Sequence, residues 1–198
     1  MGDRCRIPCI TVSLLNTDTL FVEHQFNFLS LLFRPHYRVQ VFDERDMPLA
    51  GVAERSGPGL QRPLRYTGFS GWTSFDLVVT APHGQPLLHI RKPFGRRPHI
   101  RVTTPDGQAI GSLRQESVRR QALHDAHGTR VCLLGDVAQI HTGHRAKRHG
   151  QRVRRDVVRI RPGLTEPLRS LAVAGALAFD IARGKGTAQI DQSIDIVP

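Results

Sequence analysis

Four stretches of the chain share one strand-turn-strand pattern, and this repetition constrains the fold more than any other feature. In residues 37–54, 75–93, 99–116 and 121–136, apolar and polar residues alternate with a period of two, break at a turn, and then alternate again. Such alternation is typical of a β-hairpin with one buried face. The pattern therefore predicts an array of antiparallel hairpins.

The turns of these hairpins contain residues suited to a left-handed backbone. Gly84, Gly107 and Gly128 occupy equivalent turn positions in three hairpins, and Asp46 occupies that position in the first. Glycine has no Cβ to clash at positive φ, and aspartate tolerates that conformation better than most residues. We therefore expect positive φ at all four positions.

Four shorter alternating stretches extend the array, at residues 20–25, 63–69, 136–143 and 156–162. About twelve strands result, and closing them into a barrel would remove the unpaired edges that they would otherwise expose. The pattern thus predicts a mostly β fold, a closed antiparallel β-barrel of about 12 strands.

The most apolar segment, EPLRSLAVAGALAFDIARG at residues 166–184, predicts a central helix over about residues 166–183. Only residues 170–179 are free of charge, whereas a spanning helix needs about 20 apolar residues. Thr165 is the expected N-cap, and Pro167 suits the first turn. Because every face of this helix is apolar, we expect the barrel to surround it.

The chain of 198 residues suits one domain. Residues 20–198 are expected to form the barrel, and residues 1–19 to be either disordered or an extra strand. The three cysteines, Cys5, Cys9 and Cys132, have no paired spacing, which argues against a disulfide framework and a zinc site and favours a cytoplasmic setting. The N-terminus has no continuous apolar run of the kind that a signal peptide requires.

The net charge of +11, from 28 Lys and Arg against 17 Asp and Glu, indicates an anionic partner. Phospholipid head groups, nucleic acid and acidic proteins all satisfy this condition. Charge alone does not choose among them.

Several short features, in this order, resemble those of the tubby-like superfamily, and most closely its phospholipid scramblase and LURP-one-related branch. They cover about residues 20–185 and are the strand at 20–25, Tyr37, Ala53-Glu54, Phe75-Asp76, Pro82-x-Gly84, Arg91-Lys92-Pro93-Phe94, Gly107-x-x-Ile110-Gly111, and Leu168-Arg169-x-Leu171 running to Asp180. The resemblance implies a barrel closed around a C-terminal helix. It also implies binding of phospholipid or phosphoinositide head groups.

One property of scramblases does not transfer to this chain. Their calcium-binding segment corresponds to residues 141–155, HTGHRAKRHGQRVRR, which contain no carboxylate. Calcium requires several carboxylate or carbonyl oxygens. We therefore expect no calcium site, and no other metal or cofactor.

Two basic stretches, residues 91–101 and 141–155, are the candidate contact surfaces for lipid or phosphate. The candidate residues are Arg91, Lys92, Arg96, Arg97, Arg145, Lys147, Arg148, Arg152, Arg154 and Arg155. Each such charge near an anionic bilayer contributes about 1 kcal/mol. For a charge run the favoured interpretation is a solvated hairpin loop at 141–155, and in the other stretch we expect Phe94 to pack on the barrel and the arginines to be solvated.

Catalytic and zinc-binding motifs are not supported. His141, His144 and His149 have no recognised ligand spacing and lie among cations. Residues 68–72 resemble a nucleophile elbow but have Trp72 where glycine is required. Residues 184–187 have the wrong spacing for a phosphate-binding loop. We therefore expect a non-catalytic protein.

The first functional hypothesis is a peripheral, cytoplasmic module that binds anionic phospholipid head groups. The alternative is a nucleic-acid-binding or protein-binding regulatory module that uses the same basic surface. Lipid translocation would require a spanning element, which one short buried helix does not provide. The sequence gives no indication of the oligomeric state.

Overall fold

The computed structural model describes residues 14–25, 38–55, 72–95, 99–117, 120–148 and 150–182. A 3-10 turn at Leu14–Asn16 precedes eleven strands and two helices. The strands are β1 (Thr19–Gln25), β2 (Arg38–Phe42), β3 (Pro48–Glu54), β4 (Phe75–Thr80), β5 (Pro86–Lys92), β6 (Ile100–Thr103), β7 (Ala109–Gln115), β8 (Gln121–His124), β9 (Arg130–Leu133), β10 (Ala138–Arg148) and β11 (Gln151–Ile160). The helices are the single turn α1 (Leu134–Val137) and the long helix α2 (Leu168–Ala182).

All four predicted hairpins are confirmed, as β2–β3, β4–β5, β6–β7 and β8–β9. The turn prediction is also confirmed, since φ is 58° at Asp46, 84° at Gly84, 86° at Gly107 and 83° at Gly128. The strand predicted at residues 20–25 is β1, whereas the one at 63–69 lies outside the described residues.

The strands form one antiparallel sheet in the order β10-β11-β1-β2-β3-β4-β5-β6-β7-β8-β9. The fold is thus mostly β with one long helix. Within the described residues the two end strands, β10 and β9, do not pair with each other, so the sheet is open between them. The turn α1 connects these two strands and contacts both.

The strands predicted at residues 136–143 and 156–162 correspond to parts of β10 and β11. Residues 141–155 were expected to be a hairpin loop, and this expectation is wrong. They belong to the long hairpin β10–β11, which turns around Gly150 and has an irregular register between His141 and His144. Between residues 145 and 155, arginine and lysine occupy six of the eleven positions, so the sequence there does not alternate apolar with polar residues. Because hydrophobic periodicity is the main signal for a strand, charged faces of this kind hide it.

Helix α2 lies in the core, as predicted from its apolar faces. Every residue from Ser170 through Phe179 is buried. The helix contacts strands β5, β7, β8, β10 and β11. At its N-terminus the Glu166 carboxylate accepts a hydrogen bond from Ser170 N–H at 3.3 Å, a role expected of Thr165. Among the helices of the described residues, none combines the length and apolar character needed to cross a bilayer.

Arg169, the charged residue in the first turn of α2, makes paired contacts, as its cost of burial requires. Its guanidinium donates to the Leu15 carbonyl and, at 2.9 Å, to the Asp18 carboxylate. Leu14 beside them is fully buried. Residues 14–18 therefore pack on the fold rather than forming a separate tail, and residues 1–13 lie outside the described part.

Replacing Gly175 with phenylalanine is expected to destabilise the protein by about 3 kcal/mol, because the new side chain overpacks the core. A Cβ at this position would already lie 2.7 Å from Leu113 Cδ2 and 3.0 Å from Leu134 Cδ1. Urea denaturation measures the change. Gly175→Ala is the control and should lose less stability than the Phe variant. The atoms that its Cβ would contact are ends of flexible side chains, and alanine favours helix over glycine by about 1 kcal/mol. Equal stability of the Phe variant and wild type would contradict a central helix.

Candidate functional site

Two arginines of the β10–β11 hairpin are bound to acidic side chains rather than presented to a partner. Arg155 Nε donates to Glu23 Oε1 at 2.9 Å, and Arg148 Nε lies 2.7 Å from Glu23 Oε2, an ion-pair distance without hydrogen-bond geometry. Both guanidinium groups also contact Asp46 Oδ1 at 3.1 Å. Their guanidinium groups lie over aromatic rings, with the Arg148 Cζ 3.9 Å from the Phe42 ring centre and the Arg155 Cζ 5.4 Å from the Phe21 ring centre. Glu23 is consequently only 2% exposed.

Arg154 is held in the same way by Asp156, which points toward the interior. Its Nε and Nη2 donate to the two carboxylate oxygens at 3.0 and 2.7 Å. His24 Nε2 lies 3.2 Å from the same carboxylate, and Gly143 N–H donates to it at 2.9 Å. The irregular register of β10, with φ of 91° at Gly143, allows this backbone N–H to reach the carboxylate.

Burial alone would raise the pKa of Asp156. The hydrogen bonds and charges of His24 and then Arg154 outweigh burial and lower that pKa from 3.8 to about 2. The carboxylate is therefore ionised at neutral pH, with four donors around it. This cluster lies in a recess beside Val22, Ile140, Ala176 and Phe179, between β1, β10, β11 and α2. A carboxylate so fully hydrogen-bonded stabilises the structure and is poorly suited to accept a proton from a substrate.

Of the other candidate residues in this hairpin, Lys147 is exposed. Arg145 and Arg152 lie on β10 and β11, and their side chains are outside the described part, as are Arg96 and Arg97. Lys92 is on β5 but faces inward. Its ammonium is buried and donates to the carbonyls of Thr73 at 2.9 Å and Gly95 at 3.5 Å. Lys92 is thus bound by backbone rather than available at the surface.

Arg91 belongs to a row of side chains on the outer face of the sheet. The strand register places Asp76, Arg91, Arg101, Ser112 and His124 side by side across β4 to β8. Neighbouring strands are about 4.8 Å apart, so Arg91 and Arg101 are direct neighbours. Both are exposed, and the residues before and after Arg101 are buried in the core. The fold therefore places two arginines together that are ten positions apart in sequence.

Arg114 extends this row. It is exposed on β7, two residues beyond Ser112 and on the same outer face. The register of β6 with β7 pairs Ile100 with Leu113, so the adjacent residues His99 and Arg114 lie close together. Burial, followed by the charges of Arg114, His124 and Arg101, lowers the pKa of His99. We call Arg91, Arg101 and Arg114 the arginine patch.

No described residue forms an ion pair or side-chain hydrogen bond with the guanidinium of Arg91, Arg101 or Arg114. Asp76, opposite Arg91, is the acidic neighbour in the row. Like charges directly opposite on adjacent strands are destabilising. The described hairpin arginines have bound acids, whereas the guanidinium groups of the arginine patch have no ion-pair partner among the described residues.

The sequence prediction named Arg91 as a site residue, included Arg101 only as the end of the stretch 91–101, and missed Arg114. The available signal was the alternation in residues 99–116: Arg101 and Arg114 both fall on the polar phase of a predicted hairpin. Only the register between strands shows that these positions are close to Arg91. The expectation that Phe94 packs on the barrel is wrong, since Phe94 is 56% exposed.

Within the described residues, no group of three or more His, Cys, Asp or Glu side chains has a geometry suited to a metal ion. Comparisons of the chain with protein-family models, curated proteins and solved structures found no match.

Proposed function

We propose that this protein is a non-catalytic, scramblase-like or LURP-one-related module that binds anionic phospholipid or phosphoinositide head groups. It would act as a peripheral protein at a cytoplasmic membrane surface. The observation that carries the proposal is the Arg91–Arg101 pair, whose guanidinium groups make no ion pair with a described residue, with Arg114 beside it, on the outer face of the sheet. Two like charges opposite each other on adjacent strands destabilise the protein. An anionic ligand would relieve this repulsion, and the relief would add to its binding free energy.

The chemistry of the arginine patch suits phosphate. A guanidinium presents a planar fork of donors that matches two phosphate oxygens, and it is less strongly hydrated than an ammonium. Three such groups near an anionic surface contribute about 3 kcal/mol together. This is enough for reversible, salt-sensitive membrane attachment.

The proposal includes the closed barrel of about 12 strands that the family resemblance implies. Its support is the position of α2, which contacts strands near both ends of the sheet order, β10 and β11 on one side and β7 and β8 on the other. The turn α1 lies between the two end strands and also contacts the helix. A sheet that curves around a helix in this way would become a barrel once the gap between its end strands, β9 and β10, is closed.

Nucleic-acid binding is the second candidate, because the same guanidinium groups match phosphodiesters and Phe94 is exposed nearby. Aromatic and basic side chains together bind single strands by stacking and charge. A regulatory protein partner with an acidic surface would use the same charges.

The test is sedimentation with phosphatidylcholine vesicles that contain phosphatidylserine or a phosphoinositide. Replacing Arg91, Arg101 and Arg114 together by glutamine is expected to lower the partition coefficient about 100-fold, the equivalent of about 3 kcal/mol. Without vesicles, the same variant should be at least as stable as wild type, because the repulsion between Arg91 and Arg101 is removed.

The matched control replaces Arg45, Arg159 and Arg161 by glutamine. Replacing these three exposed arginines changes the net charge by the same amount, and they lie away from the arginine patch. Equal losses in the two variants would show that net charge alone drives attachment. Retention of the wild type on single-stranded DNA or RNA, without binding to vesicles, would favour the second candidate.

A further inference from the structure

Two exposed aromatic side chains lie at one end of the β4–β5 hairpin, next to the arginine patch. Trp72 precedes β4 and is 39% exposed, and Phe94 follows β5 and is 56% exposed. The two segments meet, because Gly95 N–H donates to the Trp72 carbonyl at 2.9 Å. We call Trp72 and Phe94 the aromatic rim.

Hydrogen bonds from a buried side chain hold the two backbone segments that carry the aromatic rim. The buried ammonium of Lys92 donates to the carbonyls of Thr73 and Gly95, one on each segment. Thr73, next to Trp72, is fully buried. A buried cation thus holds both segments in place, while Trp72 and Phe94 keep 39% and 56% of their surface exposed.

The rim is close to the arginines. Arg91 lies on the outer face of β5, three residues before Phe94. Because a fully extended chain rises about 3.3 Å per residue, their Cα atoms are at most about 10 Å apart. Apolar rings beyond a row of guanidinium groups form a surface whose two parts differ in polarity over a short distance.

We infer that the aromatic rim inserts into the interfacial region of an anionic phospholipid bilayer while the arginine patch contacts the head groups. This inference rests on the proposed function and adds the orientation of the domain on the membrane. Tryptophan and other aromatic side chains favour the boundary between head groups and acyl chains. The charge of the arginine patch selects a bilayer with anionic lipid over a neutral one.

The single tryptophan of the chain makes this inference directly measurable. Emission of Trp72 is recorded during titration with phosphatidylcholine vesicles with and without phosphatidylserine. With phosphatidylserine we expect a blue shift and quenching by lipids brominated on their acyl chains. The Phe94→Ser variant should lose vesicle affinity on the order of tenfold, since it has no phenylalanine ring to transfer from water into the bilayer.

The matched control is Met47→Ser. Met47 is 59% exposed but lies on the β2–β3 turn, at the opposite end of the sheet. Its replacement should leave vesicle binding unchanged.

The outcomes separate this inference from the proposed function. Binding to anionic vesicles without any change in Trp72 emission, and with wild-type affinity of Phe94→Ser, would overturn insertion and leave head-group binding intact. Absence of binding to anionic vesicles would overturn both. Quenching of Trp72 by a single-stranded oligonucleotide, with no response to vesicles, would assign the aromatic rim to base stacking instead.

Discussion

Replacing Asp156 by alanine is expected to lower the free energy of unfolding by about 3 kcal/mol. Removing one member of a buried ionic cluster leaves the remaining charges without compensation. Here Arg154 and His24 would both lose the carboxylate, and Gly143 N–H would lose its acceptor. This loss is at the lower end of the roughly 3 to 5 kcal/mol expected for breaking a buried ion pair, because the Arg154 side chain keeps some contact with solvent. Urea denaturation near neutral pH measures it.

Asp106→Ala is the control for this variant, since Asp106 lies exposed in the β6–β7 turn. Its effect should stay within about 0.5 kcal/mol. Similar losses for the two variants would show that the cluster around Asp156 contributes nothing specific.

The contribution of Asp156 should also depend on pH. Its pKa is about 2 in the folded protein and 3.8 ordinarily, so ionisation favours the folded state. The stabilisation is fully present above about pH 4 and is lost as the pH falls toward 2. It amounts to about 2 kcal/mol. The difference in stability between wild type and Asp156→Asn should therefore shrink across this interval, and a constant difference would contradict the assignment.

Replacing Gly111 by alanine is expected to destabilise the protein by about 3 to 4 kcal/mol. A Cβ on Gly111 would lie 2.3 Å from the His124 carbonyl oxygen and 3.0 Å from Leu171 Cδ1. The first of these is a backbone atom of the neighbouring strand β8, so no side-chain rotation relieves the clash. The φ of 158° adds strain, because L side chains rarely adopt it.

Gly51→Ala is the matched control, a glycine in strand β3. Its added Cβ would meet only Thr80 Oγ1, at an ordinary 3.5 Å. This variant should be as stable as wild type or slightly more so. A thermal or urea transition unchanged in Gly111→Ala would show that β7 and β8 do not approach each other as described.

The hairpins could be predicted because two independent signals agreed in each of them. Alternation gave the strands, and a residue tolerant of positive φ gave the turn. The helix could be predicted because its apolar residues cover all faces and its length excludes a span. For these elements the local sequence and the tertiary structure require the same residues.

The strands β10 and β11 were predicted only in part, at residues 136–143 and 156–162, and the ionic clusters were missed, for a different reason. In residues 156–162, Asp156 occupies the same phase as the inward-facing Val158 and Ile160, so its inward direction was readable. Its partners were not, because His24 lies 132 positions away and pairing depends on the register of β1 with β11. The arginine patch likewise depends on contacts between strands, which composition and periodicity do not specify.

The pairing of β1 with β11 also determines how the chain folds during synthesis. Every other strand pairing within the described residues joins strands that are consecutive in sequence, whereas β1 pairs with β11, the last of the eleven strands to be synthesised. Helix α2, which fills the core, is made later still. The nascent chain therefore exposes a growing apolar face until its last described elements emerge. Such a long-range closure slows folding, so we expect loss of β11 or α2 to cause aggregation rather than a shorter folded domain.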